Sequence, residues 1–218
     1  MFDILLRPLK DSLVDPVARV VGRIMSPNAV TLLSLLLGIV SALLLWYGAV
    51  GWAFLLWILN RLTDGIDGAV ARLTGRTSDL GGYLDIVADF VVYSALPIAF
   101  VMRSGPGGIG GLSGTALQQA IFDPPFLVPA ALLLLAVFYV NAASWMYLSA
   151  ILEKRGRQRE GELTSVTMPE GVIGGAETFG FFTLFFLLPM YLAHLFWIMA
   201  ILTLFTALQR IVWALRNL

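Results

Sequence analysis

The chain has 218 residues, of which 59% are hydrophobic and only 13% are charged, and its formal net charge is zero. Soluble domains carry about a quarter charged residues, so this composition excludes an ordinary soluble domain and is typical of a membrane protein. The chain has no cysteine, which excludes disulfides, thiolate zinc sites, iron–sulfur clusters and a cysteine nucleophile.

The N-terminal segment, residues 1–25, has an amphipathic pattern. Apolar residues recur every three or four positions from Phe2 to Ile24, with charged residues between them. This spacing predicts a helix that lies in the membrane interface rather than a cleaved signal peptide. A helix that packs on a soluble partner is the alternative. We assign residues 26–218 to one transmembrane domain.

Long stretches without charge predict the spanning helices. No charged residue lies between Arg23 and Arg61, a length that suits two spans of about 20 residues better than one. Glycines flanked by aromatic residues in WYGAVGW, Trp46–Trp52, favour a turn at the membrane interface. The predicted fold class is therefore all-α, with six transmembrane helices after the interfacial helix. The predicted spans are 30–47, 52–72, 82–102 and 126–152, followed by two spans between 171 and 208 that separate near Pro189.

Basic residues are concentrated in alternate connections. The first, third and fifth loops between spans together contain one basic residue, Arg103. By the positive-inside rule, both termini and the second and fourth loops then lie in the cytoplasm, which requires an even number of spans. We therefore predict an integral protein of the cytoplasmic (inner) membrane whose acidic cluster faces the cytoplasm. The basic residues on that side are Arg7, Lys10, Arg19, Arg23, Arg72, Arg76, Lys154, Arg155, Arg157, Arg159, Arg210 and Arg216.

Four aspartates stand at the cytoplasmic ends of the second and third spans. Asp64 and Asp67 are three residues apart, and Asp85 and Asp89 are four apart, so each pair occupies one face of a helix. Carboxylates that converge in a low-dielectric site cannot all stay ionised without cations. Oxygen ligands with no histidine or cysteine nearby favour Mg²⁺, Mn²⁺ or Ca²⁺, and four acids accommodate two ions more readily than one. Asp79, between the pairs, is interpreted as a solvated loop residue.

Small residues next to these acids indicate that a ligand approaches closely. Gly68 and Gly81 lie in predicted helices, where glycine costs about 1 kcal/mol relative to alanine, and Ala71 is also small. Arg72, one turn beyond Gly68, is placed to meet phosphate oxygens. The alternative is that the aspartates only cap helices and pair with Arg61, Arg72 and Arg76 at the membrane surface.

The acids and small residues together resemble the signature of the CDP-alcohol phosphatidyltransferase family. Eight identities and all the intervening gaps match. In addition, the SPNAVT segment, Ser26–Thr31, resembles the short segment that precedes the first span in that family. With the six spans and the leading helix, the resemblance covers nearly the whole chain. The matching residues are Asp64-x2-Asp67-Gly68-x2-Ala71-Arg72-x8-Gly81-x3-Asp85-x3-Asp89.

The resemblance implies transfer of a phosphatidyl group from a CDP-linked lipid, such as CDP-diacylglycerol, to a small polar alcohol, with release of CMP. It implies that two divalent cations, Mg²⁺ or Mn²⁺, bind Asp64, Asp67, Asp85 and Asp89, and that Asp89 is also the general base on the alcohol. It further implies that the protein is a homodimer and that it contacts membrane lipids. We expect no nucleic-acid partner. Together with the small residues, it places the CDP-linked lipid against Asn28, Ala29, Val30, Thr31, Gly68, Ala71, Arg72, Ser78 and Gly81. No residue stands out as a covalent nucleophile, so we expect direct displacement.

The acceptor alcohol is left open by the sequence. Lys154 and Arg155 are candidates to attract an anionic acceptor, or they only anchor the topology. Glu177 is a candidate to contact an acceptor hydroxyl or amine, or it satisfies a neighbouring polar group. The segment Gly174–Phe182 lacks the arginines that grip the acceptor phosphate in the family's inositol-phosphate synthases, and the fourth span lacks the lysine–threonine pattern associated with glycerophosphate synthases.

A divalent-cation transporter, or a cation-binding membrane protein, is the alternative function for the same acidic cluster. It predicts acids near the bilayer midplane on several helices, and an inverted repeat. The acids instead cluster at the predicted cytoplasmic edge, which favours the enzyme.

Overall fold

The computed structural model describes residues 14–104, 124–155 and 171–218, and these ranges are helical with no strand. The chain divides into two compact units. Of the described residues, 14–104 belong to an N-terminal unit, and 124–155 with 171–218 belong to a C-terminal unit. In the described ranges, the N-terminal unit contains α1 (14–21), α2 (Pro27–Trp46), α3 (Val50–Thr74) and α4 (Asp79–Ser104), and the C-terminal unit contains α5 (Pro124–Lys154), α6 (Gly175–Leu187), a 3₁₀ turn (Pro189–Tyr191) and α7 (Leu192–Asn217).

Local sequence signals determine where α2, the first candidate spanning helix, begins and ends. The Ser26 hydroxyl accepts a hydrogen bond of 3.3 Å from the Ala29 N–H, and Pro27 occupies the first turn, where its missing N–H costs nothing. The helix ends before Gly48, whose φ of 87° is a conformation that favours glycine. The predicted turn between the first two spans is therefore confirmed.

The connection between α3 and α4 is short and capped on both sides. Gly75, at φ 65°, ends α3 in the left-handed conformation. The Ser78 hydroxyl accepts a hydrogen bond of 3.1 Å from the Gly81 N–H at the start of α4. Asp79 is exposed as predicted, but it is the first residue of α4 rather than a loop residue. A carboxylate is favourable there because the N-terminal end of a helix carries partial positive charge.

Helix α2 packs on both α3 and α4 through small and polar residues, as is common between membrane helices. The buried Ser34 hydroxyl donates to the Asn60 carbonyl at 3.1 Å, and the buried Ser41 hydroxyl donates to the Ala53 carbonyl at 2.7 Å. A methyl group on Gly38 would collide with the Val92 side chain of α4. These close approaches fix both acidic helices against α2.

The first helix, α1, packs on the half of α3 that carries the acidic residues. Ala18 is fully buried against Ala69 and Val70, with Val14 and Ile66 at the edge of the cluster. A helix is thus confirmed over 14–21, while residues 1–13 of the predicted interfacial helix lie outside the described ranges. Its amphipathic role at the membrane surface stays a prediction.

The C-terminal unit is held together by aromatic packing. The Phe185 ring lies 4.7 Å from the Phe196 ring, edge to face, and 5.1 Å from the Phe182 ring, measured between centroids. All three side chains are buried. The predicted break near Pro189 is confirmed, because α6 ends at Leu187 and a 3₁₀ turn precedes α7.

Four segments of the described chain are long and apolar enough to cross a membrane, which identifies an integral membrane protein. Helix α3 has sufficient length, but its second half carries the polar residues of the candidate site. Helix α6 has only 13 residues. The count of six spans therefore stays a prediction. The four candidate spans are Pro27–Trp46, Asp79–Arg103, Phe126–Lys154 and Pro189–Asn217.

Candidate active site

All four predicted ligand aspartates lie in the N-terminal unit. Asp64 and Asp67 are in the second half of α3, and Asp85 and Asp89 are in the first half of α4. Asp67 is the most deeply placed, at 6% exposed, and the other three are partly buried. The helical placement that the spacing predicted is confirmed, and both helices pack on α2, which brings the two pairs to one region of this unit.

A buried hydrogen bond holds Asp67. The Thr31 hydroxyl, near the start of α2, donates to Asp67 Oδ2 at 2.6 Å. Thr31 is 4% exposed, so the bond lies in a dry environment where a charge-assisted hydrogen bond is strong. It connects the SPNAVT segment directly to the acidic motif.

Arg61 joins the acids of the two helices. Its Nη1 donates to Asp89 Oδ1 at 2.8 Å and lies 3.5 Å from Asp64 Oδ2, one turn along α3. The same nitrogen donates to the Tyr93 hydroxyl at 2.8 Å, and Nε donates to Asn60 Oδ1 at 2.7 Å. The Arg61 side chain is only 9% exposed. One guanidinium therefore lies between a carboxylate of α3 and a carboxylate of α4.

Neutral groups fix the position of this guanidinium. Its central carbon lies 5.1 Å from the ring centroids of both Trp57 and Tyr93, within the range of a cation–π interaction. Asn60 is fully buried and donates to the Ser34 carbonyl at 2.7 Å. Sequence reasoning assigned Arg61 no role beyond that of an alternative partner for the acids. The available signal was an arginine inside a predicted span, a position where a charge usually has a specific partner.

The four aspartates offer a donor set that fits a divalent cation. Within the described ranges, no three acidic, histidine or cysteine side chains are grouped closely enough to hold an ion. The chemistry is nevertheless that of a hard cation, with carboxylate oxygens alone. Asp64 and Asp89 both contact one positive charge, that of the Arg61 guanidinium, through its Nη1 atom. Asp64, Asp67, Asp85 and Asp89 are the residues that would hold the ions.

The predicted contacts to the CDP-linked lipid cluster at the N-terminal ends of α2 and α4. Asn28 Oδ1 and Ser78 Oγ each lie 3.2 Å from the point where a Cβ on Gly81 would stand, so a side chain there would crowd both. Ser78 also caps α4, which gives it a structural role. The Ala29 N–H is bonded to the Ser26 hydroxyl, and the Val30 side chain is buried.

A second group of predicted lipid contacts lies on α3. A Cβ on Gly68 would stand 3.3 Å from Arg72 Nη1, so the guanidinium lies over the glycine. Arg72 is exposed and Ala71 is partly buried. The Arg72 guanidinium therefore lies over the bare backbone of Gly68. Both residues belong to the same segment of α3 as Asp64 and Asp67.

The predicted acceptor residues all belong to the C-terminal unit. Glu177 Oε2 accepts a hydrogen bond of 3.0 Å from the Gly174 N–H and thereby caps α6. This matches the interpretation in which Glu177 satisfies a neighbouring polar group. Lys154 ends α5, and the exposed Arg155 donates to the Leu218 carbonyl at 3.1 Å. A role for these three residues in acceptor binding stays a prediction.

Comparison with known proteins decides the family. The family model described as CDP-alcohol phosphatidyltransferase matches residues 24–209. The chain belongs to the CDP-alcohol phosphatidyltransferase family. The resemblance found in the sequence is thus confirmed.

Several curated relatives share the sequence in part. The inner membrane protein YnjF of Escherichia coli is 36% identical over 108 residues, which are 48% of this chain and 50% of YnjF. A bifunctional IPC transferase and DIPP synthase of Aquifex aeolicus is 41% identical over 81 residues, 37% of this chain and 19% of that protein. The chain thus spans about half the length of the first relative and a fifth of the second. The phosphatidylinositol phosphate synthase of Mycolicibacterium smegmatis is 30% identical over 205 residues, 90% of this chain and 81% of that protein.

Solved structures share the fold. A phosphatidylinositol phosphate synthase of Mycobacterium tuberculosis with CDP-DAG bound superposes with a TM-score of 0.65 at 21% identity, covering 92% of each chain. The same synthase in complex with manganese and citrate also gives a TM-score of 0.65, at 22% identity, covering 91% of this chain and 87% of that one. The all-helical architecture of this chain is therefore shared with proteins of known structure.

Proposed function

We propose that this protein transfers a phosphatidyl group from CDP-diacylglycerol, or a similar CDP-linked lipid, to a small polar alcohol and releases CMP. The observation that carries the proposal is the convergence of the acidic motif with the start of α2, seen in the 2.6 Å bond between Thr31 and Asp67. The names of the relatives support it, because one is a phosphatidylinositol phosphate synthase that matches 90% of this chain.

In the proposed reaction the acceptor oxygen attacks the lipid-bearing phosphorus, and the bond from that phosphorus to the CMP oxygen breaks. Asp89 accepts the proton of the acceptor hydroxyl, and CMP leaves with the bonding electron pair. The four aspartates would hold the divalent cations, whose charge would offset that of the pyrophosphate and of the departing CMP. Transfer is direct, with no phosphatidyl-enzyme intermediate.

The chain's own residues orient the groups around this step. Thr31 holds Asp67, and Arg61 holds Asp89 through a 2.8 Å hydrogen bond. Arg72, beside Gly68, contacts phosphate oxygens of the donor. The cytidine is placed near Asn28 and Gly81, two of the residues that the family resemblance assigns to the donor. Because these residues come from α2, α3 and α4, one unit supplies the whole donor site.

The test is CMP release from CDP-diacylglycerol by the purified full-length protein in detergent or vesicles. Activity is expected to require Mg²⁺ or Mn²⁺, to disappear with EDTA, and to return when either ion is restored. Asp79→Asn is the matched control for Asp85→Asn, because Asp79 is an exposed aspartate of the same helix. Equal activity of the two variants, or full activity in EDTA, would refute the proposal. A cation transporter would release no CMP.

The acceptor is resolved by running the same assay over inositol phosphate, inositol, glycerol phosphate, serine and choline. The name of the Mycolicibacterium smegmatis relative favours inositol phosphate. The lack of arginine in Gly174–Phe182 argues against a phosphorylated acceptor. Preference for an uncharged alcohol such as inositol is the outcome that the composition of this segment predicts.

We propose further that both termini and the acidic cluster face the cytoplasm and that the protein is a homodimer. The cysteine-free sequence makes the first point directly testable, because a single cysteine reports its own accessibility. The Arg76→Cys and Arg216→Cys variants should each react with an impermeant thiol reagent only from the cytoplasmic side. Mass photometry in detergent measures the oligomeric state.

A further inference from the structure

We propose that Arg61 is a resident counter-cation of the metal site, which holds Asp64 and Asp89 in place when divalent ions are absent and limits how tightly those ions bind. The inference rests on the proposed function, because it assigns those two aspartates to the metals. Arg61 acts through the aspartates and is a positioning residue. No motif position of the family signature as quoted above includes it.

Arg61 bridges two carboxylates that belong to different helices. Arg61 Nη1 lies 2.8 Å from Asp89 Oδ1 and 3.5 Å from Asp64 Oδ2, two oxygens that belong to different helices. A positive charge thus already stands between two of the predicted ligands. A divalent ion that binds both carboxylates must share this space with Arg61 or displace its Nη1.

Uncharged neighbours hold the Arg61 guanidinium in its position between the two carboxylates. Asn60 and the rings of Trp57 and Tyr93 hold the guanidinium, and none of these groups carries a charge. Asn60 is fixed in turn by Ser34 of α2. Carboxylates that turn toward a metal therefore leave the arginine in its place, and its charge stays beside the bound ion.

The charge of Arg61 should weaken the binding of a divalent ion at this site. A fixed positive charge a few ångströms from a divalent cation repels it, so neutralising Arg61 should tighten metal binding by about ten-fold or more, even with substantial solvent screening. The same change removes the group that orients Asp89, so transfer should slow. Simple damage to the fold would lower both the metal affinity and the transfer rate. Tighter metal binding together with slower transfer therefore distinguishes the proposed role from such damage.

The experiment titrates the full-length protein in detergent with Mn²⁺ alone and follows free Mn²⁺ by electron paramagnetic resonance. Arg61→Gln and Arg61→Met are two neutral variants, so the result does not depend on the folding of either one. Arg61→Lys keeps the charge and is expected to bind Mn²⁺ within about two-fold of the wild type. Arg76→Met removes a positive charge from an exposed site in the same unit and is the matched control.

The expected result is a fall in the Mn²⁺ dissociation constant of about ten-fold for the neutral variants, with slower CMP release at saturating Mn²⁺. The inference is overturned if folded neutral variants bind Mn²⁺ no more tightly than the wild type, or if Arg76→Met gives the same gain. Failure of the wild type to bind Mn²⁺ and to release CMP would instead refute the proposed function.

Discussion

The Thr31 hydroxyl donates a 2.6 Å hydrogen bond to the Asp67 carboxylate, and both side chains are almost fully buried. Thr31 closes the SPNAVT segment at the start of α2, and Asp67 belongs to the acidic motif of α3. Two segments that are 36 residues apart therefore form one site. The bond restrains one carboxylate oxygen in a place where water cannot replace the donor.

Thr31→Val should damage this site without changing its shape. Valine is close in size to threonine but cannot donate, so the buried carboxylate loses a partner, at a cost of about 1–3 kcal/mol in the free energy of unfolding. We expect a lower thermal unfolding temperature in detergent and strongly reduced CMP release. Thr63→Val is the control, because the Thr63 hydroxyl bonds only to the Leu59 carbonyl of its own helix, at 2.7 Å. Equal losses in the two variants would contradict the assigned role of Thr31.

Gly38→Ala should force α2 and α4 apart. The added methyl group would collide with Val92, and overpacking of this kind costs about 1–3 kcal/mol. The expected result is a lower unfolding temperature together with reduced activity, since α4 carries Asp85 and Asp89. Gly51→Ala is the control, because a Cβ there meets nothing within 4 Å. The double variant with Val92→Ala should recover most of the loss, and absence of recovery would show that this contact is not the cause.

Much of the helical framework could be predicted because its signals are local. Stretches without charge placed the spans, and the predicted first span, 30–47, differs from α2 by only a few residues at its N-terminal end. The spacings within the two aspartate pairs placed each pair on one helix face. The start of α4 was not predicted correctly. Ser78 caps this helix and Asp79 is its first residue, although both were placed in a loop.

The contacts between helices could not be predicted, because they depend on packing across long stretches of sequence. Arg61 and Asp89 are 28 residues apart, and nothing local indicates that they meet. Their contact follows from the close packing of α2 with α3 and α4, which small residues such as Gly38 permit. The network around Arg61 was therefore visible only in the structure, although the acids themselves were visible in the sequence.

Asp89→Asn should abolish transfer while leaving donor binding largely intact. The amide cannot accept the proton of the acceptor, and loss of a general base alone costs about 100-fold or more in rate. Arg61 can still donate to the amide oxygen, so the local structure should persist. CMP release and equilibrium binding of CDP-diacylglycerol are the two measurements, with Asp79→Asn as the matched change on α4. Near-normal turnover would rule out Asp89 as the base.

Glu177 offers a test that separates a structural role from an acceptor contact. Its carboxylate caps α6 by accepting a 3.0 Å hydrogen bond from the Gly174 N–H, and glutamine at this third helical position can accept the same bond. Glu177→Gln should therefore retain stability and the KM for the acceptor, whereas Glu177→Ala should lose about 1 kcal/mol of stability with the cap. Thermal unfolding and acceptor titrations of the two variants decide the matter. A raised acceptor KM in Glu177→Gln, at unchanged stability, would show that the carboxylate charge contacts the alcohol, and would bring Glu177 into the acceptor site.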